Sequence, residues 1–168
     1  RAVCQMYLGN ENVALRHFNQ VVKDKDVISD YMAFWMGQCS EKIGQVDSAV
    51  VYYRKVMDMS PTSSLRSKSV LKAATLSMEQ KKYGDAVMFY DALIGKSTEE
   101  DDAWAGKIKA LMALGDSVGA REARLQLIRE YPQHVAAKQA LQNLDGLVAI
   151  EEVFVAGVAH MKNKKYRQ

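Results

Sequence analysis

The sequence predicts an all-α fold built from antiparallel helix hairpins that stack on one another. Small and apolar residues recur at helical spacing in two successive segments between Met32 and Pro61. The same pattern returns about every 35 residues along most of the chain. The Val, Ile and Thr alternation of half-buried strands is absent. A single hairpin would expose apolar faces that only a neighbouring hairpin can cover, so the repetition itself favours a stacked array.

The hairpin between Met32 and Pro61 shows the pattern most clearly. Its first half places small or apolar residues on one stripe: Ala33, Met36, Gly37 and Ser40. Its second half does the same with Ala49, Tyr53, Val56 and Met57. Gly44 permits a turn conformation that residues with a Cβ avoid, and Pro61 ends the second helix because it has no N–H group. The segment is therefore predicted to form a helix, a tight turn and an antiparallel helix.

Composition and charge narrow the class of protein. Apolar residues make up 48% of the 168, which is enough for a sizeable core. The net charge of +3, from 23 basic and 20 acidic residues, is too balanced to indicate nucleic-acid binding by itself. No apolar run reaches about 18 residues, so we expect no membrane span.

The cysteines and the first residue carry further expectations. Cys4 and Cys39 are too few for a disulfide framework or a four-ligand metal site, and we expect both to be small buried side chains. The chain begins with Arg1 partway through a helical pattern, so we expect it to be a fragment of a longer protein.

Four columns of the repeat can be followed along the chain. An alanine of the second helix recurs at intervals of 35, 37 and 34 residues, as Ala14, Ala49, Ala86 and Ala120. Five residues earlier stands the turn residue, which is Gly9, Gly44, Lys81 and Gly115. Four residues after the alanine stand Phe18, Tyr53, Tyr90 and Arg124. The closing residues are Asp26, Pro61, Thr98 and Pro132.

These columns resemble the tetratricopeptide repeat, whose period is about 34 residues. The resemblance implies a right-handed superhelical solenoid of helix hairpins over residues 1–168, as a single array. It gives a partial first repeat (1–28), a second (29–63), a third (67–98) and a fourth (99–132). The remaining segments are a capping or half-repeat helix (133–146) and the first helix of a truncated further repeat (147–168). The fourth repeat departs from the pattern at Lys107, Ile108 and Arg124.

Two helix starts are marked by their own chemistry. Ser29 precedes Asp30, and Thr98 precedes the acidic run of residues 99–102. Ser and Thr cap helix N-termini, and negative charge is favoured there by the helix dipole. We interpret the acidic run in this way rather than as a metal site.

Catalytic and metal-binding constellations are missing from the sequence. His17, His134 and His160 fall in separate helices and have no metal-ligand spacing to another His, Cys or acid. There is no Gly-rich phosphate loop, nucleophile elbow or paired His/Cys motif. We therefore expect no enzyme active site, metal, cofactor or small-molecule substrate.

The family resemblance places partner binding on the first helix of each hairpin, on a concave groove. The implied groove residues are Tyr31, Phe34 and Gln38, then Lys68, Leu71, Thr75 and Met78, then Lys109 and Met112. Glu41, Asp102 and Ala105 occupy the same columns, and the last helix would add Phe154, Val158 and Met161. Such aromatic and Met side chains suit peptide or helix recognition. The alternative is that some of them, Phe34 and Leu71 above all, pack against neighbouring helices.

One specialised function can be tested against the same columns. Tetratricopeptide co-chaperones hold acidic chaperone C-termini with a Lys/Asn/Arg clamp. The matching positions here carry Phe34, Gln38, Lys72, Asp102 and Gly106, of which one is basic. The sequence therefore does not favour this clamp.

Three functions compete at the level of sequence. The leading one is a scaffold that binds a protein or peptide in its groove. The second is a structural or assembly subunit that self-associates or stacks on further repeats through its open ends. The third is an RNA-binding helical repeat, supported by Lys162, Lys164, Lys165 and Arg167 but opposed by the near-neutral charge. The segment 128–134 also resembles bacterial cell-envelope tetratricopeptide proteins, which favours the periplasm over the cytoplasm.

Overall fold

The computed structural model describes residues 1–25, 29–59, 63–95 and 100–132, together with 135 and 137. These residues form α1 (Ala2–Tyr7), α2 (Glu11–Lys25), α3 (Asp30–Lys42), α4 (Val46–Met59), α5 (Arg66–Glu79), α6 (Tyr83–Asp91), α7 (Glu100–Leu114) and α8 (Ser117–Glu130). No strand occurs within the described ranges. The predicted helices at 133–146 and 147–168, and the closing residues Asp26, Pro61 and Thr98, lie outside them.

The chain divides into two compact units, Arg1–Leu93 and Ile94–Gln168. In the first unit the hairpins α1/α2, α3/α4 and α5/α6 follow one another, and α2 packs on α3 as α4 packs on α5. In the second unit α7 packs on α8. The repeat boundaries predicted from the sequence are not tested by this division and stay a prediction.

Each of the four described hairpin turns closes in the same way. The predicted turn residues Gly9, Gly44, Lys81 and Gly115 have φ values of +76°, +77°, +60° and +85°. The residue after each donates its N–H to a carbonyl five positions earlier, as in the 2.8 Å bond from Gln45 to Ser40. This is the Schellman arrangement, which satisfies the last carbonyls of a helix with one left-handed residue. The turn column predicted from the sequence is therefore confirmed.

The alanine column belongs to the buried core of each described hairpin. Ala14, Ala49, Ala86 and Ala120 are all buried. In the second hairpin Gly37 faces the ring of Tyr53, and a Cβ on Gly37 would lie 2.7 Å from Tyr53 Cε1. Such a contact is far inside van der Waals distance, so a hydrogen at this position is what lets the aromatic ring fill the space between the helices.

Neighbouring hairpins share one core. Ala14, Leu15 and Phe18 of α2 form a cluster with Met36 and Cys39 of α3. Cys39 is therefore buried, as expected. Cys4 is exposed, contrary to expectation, because among the described residues no helix covers α1 as α2 covers α3.

Helix starts follow the predicted chemistry where they are described. The Ser29 hydroxyl caps α3 by accepting the N–H of Met32 at 3.1 Å. Ser63 donates its hydroxyl to Asp30 at 2.6 Å and accepts the N–H of Leu65, so it links the start of α3 to the turn before α5. Residues 100–102 occupy the first turn of α7, where the helix dipole favours their charge.

Candidate partner-binding face

Two rows of side chains on α3 and α5 meet in the first unit. We call the surface that they form the first-helix face, and its residues are Tyr31, Phe34, Gln38, Glu41, Lys68, Leu71, Lys72, Thr75 and Met78. Two contacts join the rows directly, one between Phe34 and Lys68 and one between Glu41 and Lys72. These contacts bring together the groove residues predicted for the second and third repeats.

Phe34 forms the floor of this face rather than its surface. Its side chain is only 5% exposed, and its ring packs at a tilt against Tyr53 with the centroids 5.8 Å apart. The Nζ atom of Lys68 lies 5.6 Å from the centroid of the Phe34 ring. The ammonium group and its aliphatic stem thus cover much of what the ring would otherwise offer to a partner.

Glu41 is the polar centre of the face. One of its carboxylate oxygens accepts from Lys72 Nζ at 2.7 Å, and the other accepts from the Tyr53 hydroxyl at 2.6 Å. Desolvation acts to raise the pKa of Glu41, but the hydrogen bonds from Lys72 and Tyr53 outweigh it and the pKa is lowered. Burial, together with the neighbouring Glu41 carboxylate, raises the pKa of Tyr53. Glu41 is therefore ionised at neutral pH and joins α3, α4 and α5.

The rest of the face is a mixture of apolar and polar groups open to solvent. Tyr31 is 50% exposed, and its ring leans on Trp35 with the centroids 5.9 Å apart. Gln38, Leu71 and Met78 are half-buried. Thr75 is exposed and donates its hydroxyl to the Leu71 carbonyl at 2.9 Å. Large amphipathic side chains above a fixed floor suit recognition of a peptide or a helix.

The predicted groove residues of the fourth repeat lie on α7 in the second unit. Lys109 is exposed, and so are Asp102 and Ala105. Met112 is 56% exposed, and Arg124 Nη2 approaches its sulfur at 2.8 Å. Arg124 occupies the position at which the other hairpins have an aromatic residue. Its guanidinium group contacts the Met112 sulfur. Phe154, Val158 and Met161 lie outside the described residues.

Sequence reasoning missed the pairing of Lys72 with Glu41. The pair also bears on the carboxylate clamp, because the one basic clamp position is already neutralised by a carboxylate of the chain itself. Glu11 and Lys42 have the same separation of 31 residues and form an ion pair at 2.9 Å. Glu11 begins the second helix of a hairpin, whereas Glu41 lies near the end of a first helix, so the two pairs are not equivalent in the repeat. The sequence therefore carried no signal for the pairing of Lys72 with Glu41.

Metal and membrane sites can be addressed for the described part of the chain. There, no group of three or more His, Cys, Asp or Glu side chains could hold a metal ion. None of the helices in these ranges is long and apolar enough to cross a bilayer. His17 is exposed on α2, while His134 and His160 are not described.

In a comparison with protein-family models, the model of the tetratricopeptide repeat matches residues 31–63. This segment is a tetratricopeptide repeat. It contains α3 and α4 with the Gly37, Ala49 and Tyr53 contacts described above, so the predicted family resemblance is confirmed. The narrower resemblance to bacterial cell-envelope proteins stays a prediction.

Solved structures extend the likeness of fold beyond that tetratricopeptide repeat. A crystal structure of MamA is 18% identical, with a TM-score of 0.61, over 98% of this chain and 97% of that one. The TPR-like repeats of a kinesin light chain from Podosopora anserina are 16% identical, with a TM-score of 0.52, over 98% and 93%. At these identities the likeness concerns fold alone, and it confirms the predicted all-α class of antiparallel helix hairpins. A sequence comparison with curated proteins found no match.

Proposed function

We propose that the chain is a non-catalytic scaffold that binds a peptide or protein segment across the first-helix face. The observation that carries this proposal is the layered arrangement of the face. Phe34 and Glu41 are held by neighbouring helices below, while Tyr31, Lys68 and Thr75 stand exposed above them. A partner that docks there meets side chains whose support is already ordered, which lowers the entropy lost on binding. The tetratricopeptide repeat at 31–63 supports the same function, since such repeats are protein-interaction modules.

The proposal is tested by partner capture from a lysate of the source cells with a surface variant. We choose Tyr31→Ala/Leu71→Ala because Tyr31 is half exposed and Leu71 half-buried, so neither truncation empties the core. Phe34→Ala would confuse binding with folding, because that ring is buried. We expect the wild-type chain to recover a protein that this variant loses at equal helicity.

The matched control is Val51→Ala/Met88→Ala. These two exposed residues occupy equivalent positions on α4 and α6, each two places after the column alanine. Their truncation removes apolar surface from second helices and leaves the first-helix face intact. A partner lost with the control variant and retained by Tyr31→Ala/Leu71→Ala would place binding elsewhere and contradict the proposal.

A second function, assembly with further repeats or copies, is favoured by one observation. Tyr7 and Leu8 at the end of α1 are 80% and 70% exposed. Ile43, 35 places after Leu8, packs on the cluster shared by α2 and α3. Light scattering of the wild-type chain and of Tyr7→Ser/Leu8→Ser tests this alternative, because a self-associating edge would give an oligomer that the variant loses.

A further inference from the structure

We infer that Met112 is a reversible oxidation site, at which a peroxide converts the thioether to a sulfoxide that accepts a hydrogen bond from Arg124. The site belongs to the second unit alone, because α7 and α8 both lie in that unit. This modification goes beyond partner binding, since it assigns a covalent change to the chain itself.

The contact between Met112 and Arg124 occupies a position that has a counterpart in the second hairpin. Met112 lies eight residues before the column alanine of its hairpin, and Arg124 lies four residues after it. The same two positions of the second hairpin carry Glu41 and Tyr53. There the Tyr53 hydroxyl donates to the Glu41 carboxylate at 2.6 Å. In the second hairpin a donor on the second helix therefore meets a full acceptor on the first helix.

The α7/α8 hairpin has a strong donor at this position but a weak acceptor. Arg124 Nη2 approaches the Met112 sulfur at 2.8 Å. A guanidinium group presents five N–H donors, whereas a thioether sulfur accepts only weakly. Among the described residues no carboxylate forms an ion pair with Arg124. An oxygen on the sulfur would supply the acceptor that the Glu41 carboxylate supplies in the second hairpin.

Met112 is open to an oxidant in the folded chain. It is 56% exposed, more than Met59 at 45% and Met88 at 39%. A peroxide can therefore reach the sulfur without any opening of the α7/α8 hairpin.

The oxidation needs only a peroxide as co-reactant. A lone pair of the sulfur attacks one peroxide oxygen, so that the S–O bond forms as the O–O bond breaks. A proton passes from the transferred oxygen to the departing one, which leaves as water when the oxidant is hydrogen peroxide. The sulfur loses two electrons and the peroxide gains them. Methionine sulfoxide reductases reverse the change.

The sulfoxide of Met112 should stabilise its hairpin. Methionine oxidation commonly disrupts packing, because it makes an apolar side chain polar. Met112 is exposed, so little packing is lost there. The new oxygen would accept a charge-assisted hydrogen bond from Arg124, and this bond would join α7 to α8.

Mild treatment of the whole 168-residue chain with hydrogen peroxide tests the inference. Peptide mass mapping should locate a sulfoxide at Met112. Urea unfolding is followed by Trp104 fluorescence in a Trp35→Phe background, because the chain has two tryptophans and Trp104 lies in the second unit. Oxidation should shift the urea midpoint upward by about 0.5 M more with Arg124 than with Arg124→Gln. Oxidation of other methionines acts in both chains and cancels in this comparison.

Met112→Leu is the matched control, because it removes the sulfur and keeps an apolar side chain. The difference between the Arg124 and Arg124→Gln chains should vanish in this variant. Met88→Leu removes another exposed methionine and should leave the difference unchanged. Treatment with methionine sulfoxide reductases should return the midpoint to that of the reduced chain.

A second variant tests the acceptor without any oxidation. Met112→Glu places a carboxylate at the position that Glu41 occupies in the second hairpin. It should raise the urea midpoint of the untreated chain, and the gain should be lost with Arg124→Gln. No gain with Met112→Glu would show that Arg124 does not favour an acceptor there.

Three results of the peroxide experiment would overturn the inference. They are oxidation of Met59 and Met88 without oxidation of Met112, equal midpoint shifts with Arg124 and Arg124→Gln, and a difference that persists in Met112→Leu. Each of them leaves partner binding on the first-helix face untouched, because none of these residues belongs to that face.

Discussion

Residues with positive φ determine where each hairpin turns. Three of the four turn residues are glycine, and the fourth is Lys81 at φ +60°. A side chain in this conformation crowds the following carbonyl oxygen, so lysine is strained where glycine is relaxed. The sequence placed Lys81 in the turn column through its spacing from Ala86, although its chemistry argues against the position. The spacing predicted the position of this turn better than the residue type did, because the packing of Ala86 determines where the turn lies.

At the residue scale, one substitution should have opposite effects at two glycines. Gly44→Ala should lower the free energy of unfolding by about 1 kcal/mol, because φ is +77° at Gly44. Gly84→Ala should raise it by about 0.5–1 kcal/mol, because Gly84 lies within α6, and a Cβ there would have no atom within 4 Å. Urea unfolding of the two variants measures both effects. Changes of the same sign would contradict this account of the turns.

The candidate site was less predictable than the turn column. The columns put Phe34 and Tyr31 on the same face, yet Phe34 is buried and Tyr31 is half exposed. How deeply each side chain is buried depends on how closely α3 approaches α4 and α5. The helical periodicity of the sequence does not predict that distance. The engagement of Lys72 by Glu41 was missed for a similar reason, since it depends on the register between two hairpins.

Between elements, consecutive hairpins are joined by charged groups as well as by apolar contacts. Glu11 pairs with Lys42, Glu41 with Lys72, and Asp47 with Lys82. Exposed pairs of this kind contribute little to stability. Glu41 differs from the other two carboxylates because it also accepts from the hydroxyl of the buried Tyr53. We therefore expect a measurable contribution to the free energy of unfolding from the Glu41–Lys72 pair.

At the element scale, the contribution of Glu41 should depend on pH. Its pKa is lowered in the folded chain, so the stabilisation is present above the unfolded pKa of about 4.3 and is lost as pH falls through the folded pKa. The difference in free energy of unfolding between wild type and Glu41→Gln should therefore be largest near pH 7 and shrink towards pH 3, about four pH units lower. Denaturant unfolding at a series of pH values measures this difference.

The matched control repeats the comparison in a Lys72→Gln background. Lys72 is the charged partner of Glu41, so its removal should make the Glu41→Gln difference both smaller and less dependent on pH. A difference that stays constant across the pH range, or that is unaffected by Lys72→Gln, would show that the ion pair does not hold α3 to α5.

For the whole molecule, the division into two compact units after Leu93 gives a further expectation. Repeat proteins derive stability from each repeat and its nearest neighbour. The three hairpins of the first unit bury their own core, so residues 1–93 should fold alone. The sequence predicted a continuous array and gave no sign of this division, since the phase of the columns is set by packing within each hairpin.

The test combines truncation with a substitution in the core. Ala49→Leu should cost about 1–3 kcal/mol, because the fully buried Ala49 has no room for a larger side chain. We expect the same loss in residues 1–93 as in the whole chain, measured by circular dichroism during denaturant unfolding. Val51→Leu, on the exposed side of α4, should change stability by less than about 0.5 kcal/mol in both. An unfolded 1–93 fragment, or unequal Ala49→Leu losses, would contradict the independence of the first unit.

The contrast between the two cysteines has a practical consequence. Cys4 is exposed, whereas Cys39 lies in the core between α2 and α3, and burial raises the pKa of its thiol. A thiol-reactive dye should therefore couple to Cys4 within the native state, while Cys39 reacts when the α3/α4 hairpin opens. In the wild-type chain, Cys4 thus provides a single labelling position, and the reaction rate of Cys39 measures local opening. Neither use requires a mutation.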